Sequence, residues 1–137
     1  MRRITMFLSA VLVCIATTRG MASEGHAAGM KMDAAGTPKT ITGELVDMGC
    51  YMGHGAKGAG HIACATKCIN GGMPMGLLTS DGKLYLLTLN HDNADPYNKI
   101  KEYAGKTVAV TGAMMERSGM KAIDVTEFKA VAAKAGK

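Results

Sequence analysis

Strand-like alternation is clearest in the segment Gly105-Lys106-Thr107-Val108-Ala109-Val110-Thr111-Gly112. Successive side chains of a β-strand point to opposite faces of the sheet. Val108 and Val110 therefore share one face, and the smaller or polar residues between them share the other. This pattern predicts a half-buried strand that runs from Thr107 to Met115.

Four further segments have the composition of strands: Thr40 to Met48, Met75 to Leu78, Lys83 to Leu89 and Ala122 to Phe128. The dipeptide Asp81-Gly82 lies between the second and third of them and indicates a hairpin turn. His61 to Asn70 has helical character, and Gly71-Gly72 is typical of the end of a helix. Pro96 to Tyr103 suits a short helix with Asp95 as its N-cap.

These elements predict a mainly β fold, a five-stranded OB-fold-like barrel with a short helix between strands 3 and 4 and a Cys/His-containing helical insert after strand 1. The segments Gly43-Glu44-Leu45-Val46-Asp47, 105–112 and 119–125 resemble the bacterial OB-fold families, and the likeness covers residues 40–128. The insert, with its Cys…His-x2-Cys-x3-Cys pattern, is similar to a segment of small exported bacterial proteins. These resemblances imply a fold and imply no particular function.

The first 22 residues differ in composition from the rest of the chain. Arg2 and Arg3 precede an apolar run from Ile4 to Ala16, which is too short to span a bilayer comfortably. Gly20-Met21-Ala22 provides the small residues that are typical of a cleavage site. We therefore predict that residues 1–22 are a secretory signal peptide and that the protein is periplasmic or secreted. An arginine pair alone does not decide between the general and the twin-arginine export routes.

The rest of the chain is predicted to consist of a flexible leader over residues 23–38, an OB-fold-like domain over residues 39–130 and a disordered tail over residues 131–137. Residues 50–72 form the Cys/His insert of the domain. Removal of the predicted signal peptide leaves 13 basic and 11 acidic residues, so the formal charge of +5 falls to +2 and does not indicate a nucleic-acid partner. No second long apolar segment follows, so we expect no membrane anchor after processing.

The insert contains the candidate metal-binding residues. His61, Cys64 and Cys68 are spaced i, i+3 and i+7, so they would share one face of a helix. Cys50 precedes a glycine-rich loop, predicted from Gly53 to Gly60, that is flexible enough to place its sulfur over that face. Three thiolates and one imidazole form a tetrahedral ligand set suited to Zn²⁺. We predict a Cys3His zinc site, with Cu(I) as an alternative and an iron–sulfur cluster less favoured.

The insert has few large apolar residues, and the ion is therefore expected to stabilise it, so that metal binding and local folding are one event. No haem-attachment, nucleophile-elbow or phosphate-loop motif is present in the sequence, which favours a binding protein over an enzyme.

Two other interpretations of the cysteines remain open. Cys14 lies in the predicted signal peptide, and a disulfide between two of the three remaining cysteines would leave one free thiol. Alternatively, the cysteines are the buried face of a helix, because cysteine packs as a small hydrophobe. The corresponding functions are an exported thiol–disulfide redox protein, or a module that binds a ligand or partner and contains structural cysteines.

Methionine is frequent, with 12 residues in the chain, nine of which follow the predicted signal peptide. The methionine thioether is a soft metal ligand. The additional candidate ligands are His54 in the insert, His26, Met30 and Met32 in the leader, and Met73 and Met75 after the predicted helix. The competing interpretation is that the methionines fill irregular gaps in the core and that His54 is an exposed loop residue.

Overall fold

The structure is a computed structural model that describes residues 38–132. The predicted signal peptide, the leader up to residue 37 and the tail from residue 133 lie outside the described residues. The described chain contains five strands: β1 (Lys39–Asp47), β2 (Met75–Leu78), β3 (Leu84–Leu89), β4 (Thr107–Arg117) and β5 (Met120–Ala130). The helical elements are α1 (Met48–His54), α2 (Ile62–Asn70), α3 (Asp95–Ile100) and two 3-10 turns, Ala59–His61 and Lys101–Tyr103.

The five strands are hydrogen-bonded into a closed ring. Strand β1 pairs antiparallel with both β2 and β4, and β2 and β4 pair antiparallel with β3 and β5 respectively. Parallel pairing of β3 with β5 completes the ring in the order β1-β2-β3-β5-β4. The prediction of a mainly β fold with five strands, a helix between the third and fourth, and a helical insert after the first is confirmed.

The interior of the sheet is filled by the residues that the alternation places on one face. Val108 and Val110 of β4 are fully buried, as are Ile123 and Val125 of β5. Ile100 of α3 joins the same apolar cluster. Burial of these side chains supplies most of the stabilisation, because each large aliphatic group removed from water contributes about 1.5–3 kcal/mol.

Strands β4 and β5 are in close contact at Gly112. The register between the two strands shifts between Thr111 and Gly112. An ideal Cβ atom added to Gly112 would lie 2.0 Å from the carbonyl oxygen of Asp124. Only glycine leaves room for this contact at the irregular position of the β4–β5 ladder.

The insert between β1 and β2 is attached to the sheet by its own contacts. Ala65 and Ile69 of α2 are 1% and 2% exposed and belong to the hydrophobic core. Ile62 packs so tightly against Gly105 that a Cβ atom there would lie 2.7 Å from its Cγ1. In the loop before α2, the backbone N–H of Gly58 donates a hydrogen bond to the Glu44 side chain on β1.

The predicted end of the first strand and the loop after it were partly wrong. The strand ends at Asp47 rather than Met48, and Cys50 lies inside α1 instead of at the end of a strand. Gly53 and His54, predicted to begin a loop, are the last two residues of that helix, which ends at Gly55 with φ of 67°. The helix forms because the Asp47 side chain accepts hydrogen bonds from its first free N–H groups.

Two other helix boundaries differ from the prediction. His61 is not inside a helix, since it ends a 3-10 turn and occupies the N-cap position of α2. Asp95 is the first residue of α3 and not its N-cap, a position that Ala94 occupies. The last predicted turn of this helix, ending at Tyr103, is a 3-10 turn. Both helices lie where the sequence predicts them, and their first residues differ from the prediction by one position.

Candidate metal centre

Three thiols meet next to the end of β1. Cys50 comes from α1, and Cys64 and Cys68 are one turn apart on α2. Their Sγ atoms all lie within 4.8 Å of one another. Thiolates bound to one Zn²⁺ in a tetrahedral site are separated by about 3.8 Å, because each Zn–S bond is about 2.3 Å long. Small side-chain rotations would therefore bring the three sulfur atoms to metal-binding distances.

His61 joins this cluster through Cys50. A nitrogen of His61, the sulfur of Cys50 and a carboxylate oxygen of Asp47 also lie within 4.8 Å of one another. The structure thus brings together all four predicted donors as two groups of three that share Cys50, and it adds Asp47. We refer to Asp47, Cys50, His61, Cys64 and Cys68 as the donor cluster.

Asp47 is the residue of the donor cluster that the sequence analysis missed. It is 1% exposed and is the one buried charged residue in the described part of the chain. Its Oδ1 accepts a hydrogen bond from the Gly49 N–H at 3.0 Å, and its Oδ2 accepts one from the Cys50 N–H at 3.2 Å. These bonds fix the first turn of α1 and thereby the direction of the Cys50 side chain. The sequence signal that could have identified Asp47 is its role as the capping residue of a short helix, but the sequence analysis predicts no helix after Asp47.

The imidazole of His61 has an unsatisfied nitrogen that faces the donor cluster. Nε2 is buried and lacks a hydrogen-bond partner, and it is the one such side-chain atom in residues 38–132. The nearest carboxylate oxygen, Oδ2 of Asp47, is 4.0 Å away. Because a buried polar atom without a partner costs about 1–3 kcal/mol, this nitrogen needs a ligand. A metal ion bound by the neighbouring thiolates would provide one, and the residues fit such an ion.

The surroundings of the thiols favour their protonated form when no cation is bound. The pKa of Cys50 is raised to about 12, chiefly by hydrogen bonding to the Asp47 side chain, then by burial and by the Cys64 thiol. The pKa of Cys68 is also raised, chiefly by burial and then by Cys64. A cation that binds here must therefore displace protons from at least these two sulfur atoms.

The geometry restricts the disulfide alternative. All three cysteines are present as free thiols. Residues four apart on a helix have Cβ atoms about 5–6 Å apart, whereas a disulfide needs about 3.5–4.5 Å. A bridge between Cys64 and Cys68 would therefore require α2 to unwind. The remaining possibility is a bridge from Cys50 to either of them, for which the sulfur atoms are close enough after a rotation of the side chains.

The additional candidate ligands lie in different places. His54 is exposed at the end of α1 and belongs to neither donor group. Met75 is fully buried in the hydrophobic core, which is the packing role that was considered as its alternative. Met73 lies across the first turn of α1, where a Cβ atom on Gly49 would be 2.1 Å from its Cε. His26, Met30 and Met32 lie outside the described residues.

Comparisons with known proteins give no family for this chain, so the interpretation of its function depends on the donor cluster. No protein-family model, no curated protein and no solved structure matches this chain. Within residues 38–132, the helices are too short or too polar for any of them to cross a bilayer.

The three thiols are expected to differ in their reactivity toward iodoacetamide in the metal-free protein. The thiolate is the reactive form. We therefore expect the exposed Cys64 to be alkylated first at about pH 8, and Cys50 to be alkylated last because its pKa is raised to about 12. Peptide mass spectrometry over time measures the order. Asp47→Asn should accelerate alkylation of Cys50, whereas Asp92→Asn, in an exposed loop, should not. Alkylation of Cys50 before Cys64 would contradict the assignment.

Proposed function

We propose that this chain is an exported metal-binding protein in which Cys50, Cys64 and Cys68 bind one soft metal ion as thiolates, with His61 as the fourth ligand. The observation that carries the proposal is the convergence of the three sulfur atoms, all within 4.8 Å of one another, beside a buried imidazole nitrogen that has no partner. The domain binds the ion without catalysing a reaction.

Zn²⁺ is the ion that suits this donor set best. Three thiolates and one neutral imidazole are a common tetrahedral set for zinc. Three thiolates together with the buried Asp47 carboxylate also concentrate negative charge, which a divalent cation offsets better than a monovalent one. Cu(I) prefers the same sulfur ligands and is the alternative occupant.

Asp47 acts as the positioning residue of the proposed site. Its carboxylate oxygens accept hydrogen bonds from the Gly49 and Cys50 N–H groups, so it holds the backbone of one ligand. It also lies beside the imidazole of His61. Outer-shell groups that hold a metal ligand in place are a recurring part of zinc sites, and their loss typically costs about 10–100-fold in metal affinity.

The fold and the location are parts of the same proposal. The order of five strands, with a helix between the third and fourth, supports an OB-fold-like barrel that carries the donor cluster on an insert after its first strand. The basic start, short apolar run and small residues of segment 1–22 support export to the periplasm or the medium.

Reconstitution of the purified, reduced and metal-free protein tests the proposal. We expect one equivalent of Zn²⁺ to bind, as measured by elemental analysis after gel filtration, with all three thiols of the described domain protected from a thiol reagent. Co²⁺ in place of Zn²⁺ should give sulfur-to-metal charge-transfer absorption whose intensity corresponds to three thiolates. A parallel titration with Cu(I) determines which ion is bound more tightly.

Two outcomes of the reconstitution would contradict the proposal. One is a protein that binds neither Zn²⁺ nor Cu(I) stoichiometrically. The other is a protein isolated with a disulfide from Cys50 that fails to bind metal after reduction. The second outcome would support a redox role for the same cysteines.

Zinc affinity is expected to fall steeply as the pH is lowered. At neutral pH the thiols of Cys50 and Cys68 carry protons in the metal-free protein, because both pKa values are raised. Binding releases at least these two protons, so the apparent dissociation constant should increase by at least about a hundredfold for each pH unit lost between about pH 8 and pH 6, a factor of ten per proton. Competition titrations with a chromogenic chelator measure this dependence. An affinity that is constant over this interval would show that these thiols are not ligands.

A further inference from the structure

The donor cluster is open on one side and closed on the other. The closed side is the Asp47 carboxylate, which is 1% exposed. On the open side Cys64 is exposed to solvent in the first turn of α2, while Cys50 and Cys68 are half-buried. All four positions of the proposed site are filled by the protein, so a ligand that removes the ion must displace one of them, and the exposed Cys64 is the one it can reach. A site with one ligand at the surface allows an incoming ligand to reach the ion.

The insert also has enough contacts to hold its shape without an ion. Ala65 and Ile69 anchor α2 in the core, and Ile62 packs on Gly105. Both ends of the insert are hydrogen-bonded as well. The Met48 N–H donates to the Pro74 carbonyl at 2.9 Å, and the Met73 N–H donates to the Cys68 carbonyl at 3.0 Å. Together with the Asp47 cap of α1, these contacts place the two helices before any metal–ligand bond is made.

From these two features we infer that the bound ion is exchangeable cargo, handed to and taken from a thiol-bearing partner through Cys64, and not a structural ion of the fold. This inference rests on the proposed metal-binding function. It replaces the expectation that metal binding and folding of the insert are one event.

The transfer is a ligand exchange with no change in oxidation state. A thiol of the partner loses its proton and its sulfur binds the ion from the solvent side. The bond between the ion and the Cys64 sulfur then breaks, and this sulfur takes up one proton. Zn²⁺ can expand to five ligands, so the incoming bond can form before the outgoing bond breaks. Cys50 and Cys68 are displaced in the same way by further thiols of the partner, each sulfur taking up the proton that the incoming thiol loses, and the neutral imidazole of His61 leaves the ion last without a proton change.

Lys67 offers a way to test this path without altering a ligand. It is exposed on α2 and lies three residues after Cys64, so both side chains point to the same surface of the helix. Its positive charge is placed to attract an anionic thiol that approaches the open side. Lys121, exposed on β5 and outside the insert, provides a control with the same change in charge.

The first experiment follows zinc release from the loaded full-length protein with glutathione as the acceptor and a chromogenic chelator as the reporter. We expect the release rate to rise in proportion to glutathione concentration. Lys67→Glu should slow release several-fold, and Lys121→Glu should leave the rate unchanged. A release rate that is independent of glutathione, or equal effects of the two variants, would overturn the inference while leaving metal binding intact.

The second experiment follows amide hydrogen exchange in the metal-free protein. We expect the amides of the last turns of α2, around Ile69, to be protected to within about tenfold of their protection in the zinc-loaded protein. Protection that appears only after zinc is added would make the ion a structural one and overturn the inference. Failure of the chain to bind zinc or Cu(I) at all would instead reject the proposed function and, with it, this inference.

Discussion

Replacement of Cys50 by serine is expected to weaken zinc binding by more than about a hundredfold, which is the upper cost of losing an outer-shell partner of a zinc site. Cys50 is the one residue that belongs to both donor groups, so its loss separates His61 from the sulfur atoms of α2. A serine hydroxyl keeps its proton at neutral pH and is a hard ligand, so it does not replace the thiolate. A competition titration with a chromogenic chelator measures the change.

The matched control for this variant is Ala63→Ser. Ala63 is exposed on α2 next to Cys64, and its substitution places a serine beside the donor cluster without removing a ligand. We expect the zinc affinity of this control to stay within about threefold of the parent, because exposed substitutions usually change stability by less than about 0.5 kcal/mol. Circular dichroism of both variants checks that the sheet is retained. Zinc affinity of Cys50→Ser equal to that of the parent would refute the ligand set.

The strands were predictable because their burial follows the sequence period. The alternation around Val108 and Val110 matches two side chains that are fully buried, and Ile123 and Val125 behave in the same way. At these positions one face of the strand meets the core and the other is more exposed, so a period of two carries the information. The closing pair, β3 with β5, could not be derived in this way because its residues are 36 positions apart, as in Leu86 with Ala122.

The helix that carries Cys50 was not predictable from local propensity. Its sequence, Met48–His54, includes two glycines, which favour loops. The helix forms through the Asp47 cap and through its position at the end of β1, and for this reason the prediction that Gly53 begins a loop was wrong. Asp47 was missed for the same reason. In the sequence, Asp47 has the position of a polar residue at the end of a strand. It becomes part of a candidate site only because the fold brings His61 and Cys50 close to it.

The candidate ligands on α2 could be identified from the sequence because their spacing is local. Cys64 and Cys68 are one helical turn apart, so the sequence alone places their sulfur atoms on one face. The position of His61 was derived from the same helix, yet it lies at the N-cap, where the chain leaves the helical path. Its imidazole therefore approaches Cys50 and Asp47 on the neighbouring elements. The fold brings the four predicted residues close together, and their arrangement could be seen only in the fold.

Replacement of Gly112 by alanine is expected to destabilise the domain by about 3 kcal/mol or more, the upper part of the usual cost of overpacking a core. The added Cβ atom would lie 2.0 Å from the Asp124 carbonyl oxygen and 2.8 Å from Cγ2 of Ile123. The first contact is with backbone that is held in the β4–β5 ladder, so the two strands must separate to relieve it. Because about 4–8 °C of melting temperature corresponds to each kcal/mol in a domain of this size, the midpoint should fall by about 12 °C or more.

The matched control is the same substitution at Gly53, where an added Cβ atom meets nothing within 4 Å. Gly53 lies in the last turn of α1 with an exposed surface, so alanine should raise helix stability by about 0.5–1 kcal/mol. Substitution by alanine is therefore expected to lower the urea midpoint of unfolding at Gly112 and to raise it at Gly53. If Gly112→Ala unfolds at the urea concentration of the parent, strands β4 and β5 do not approach each other at this residue, and the closed ring of strands is wrong at that position.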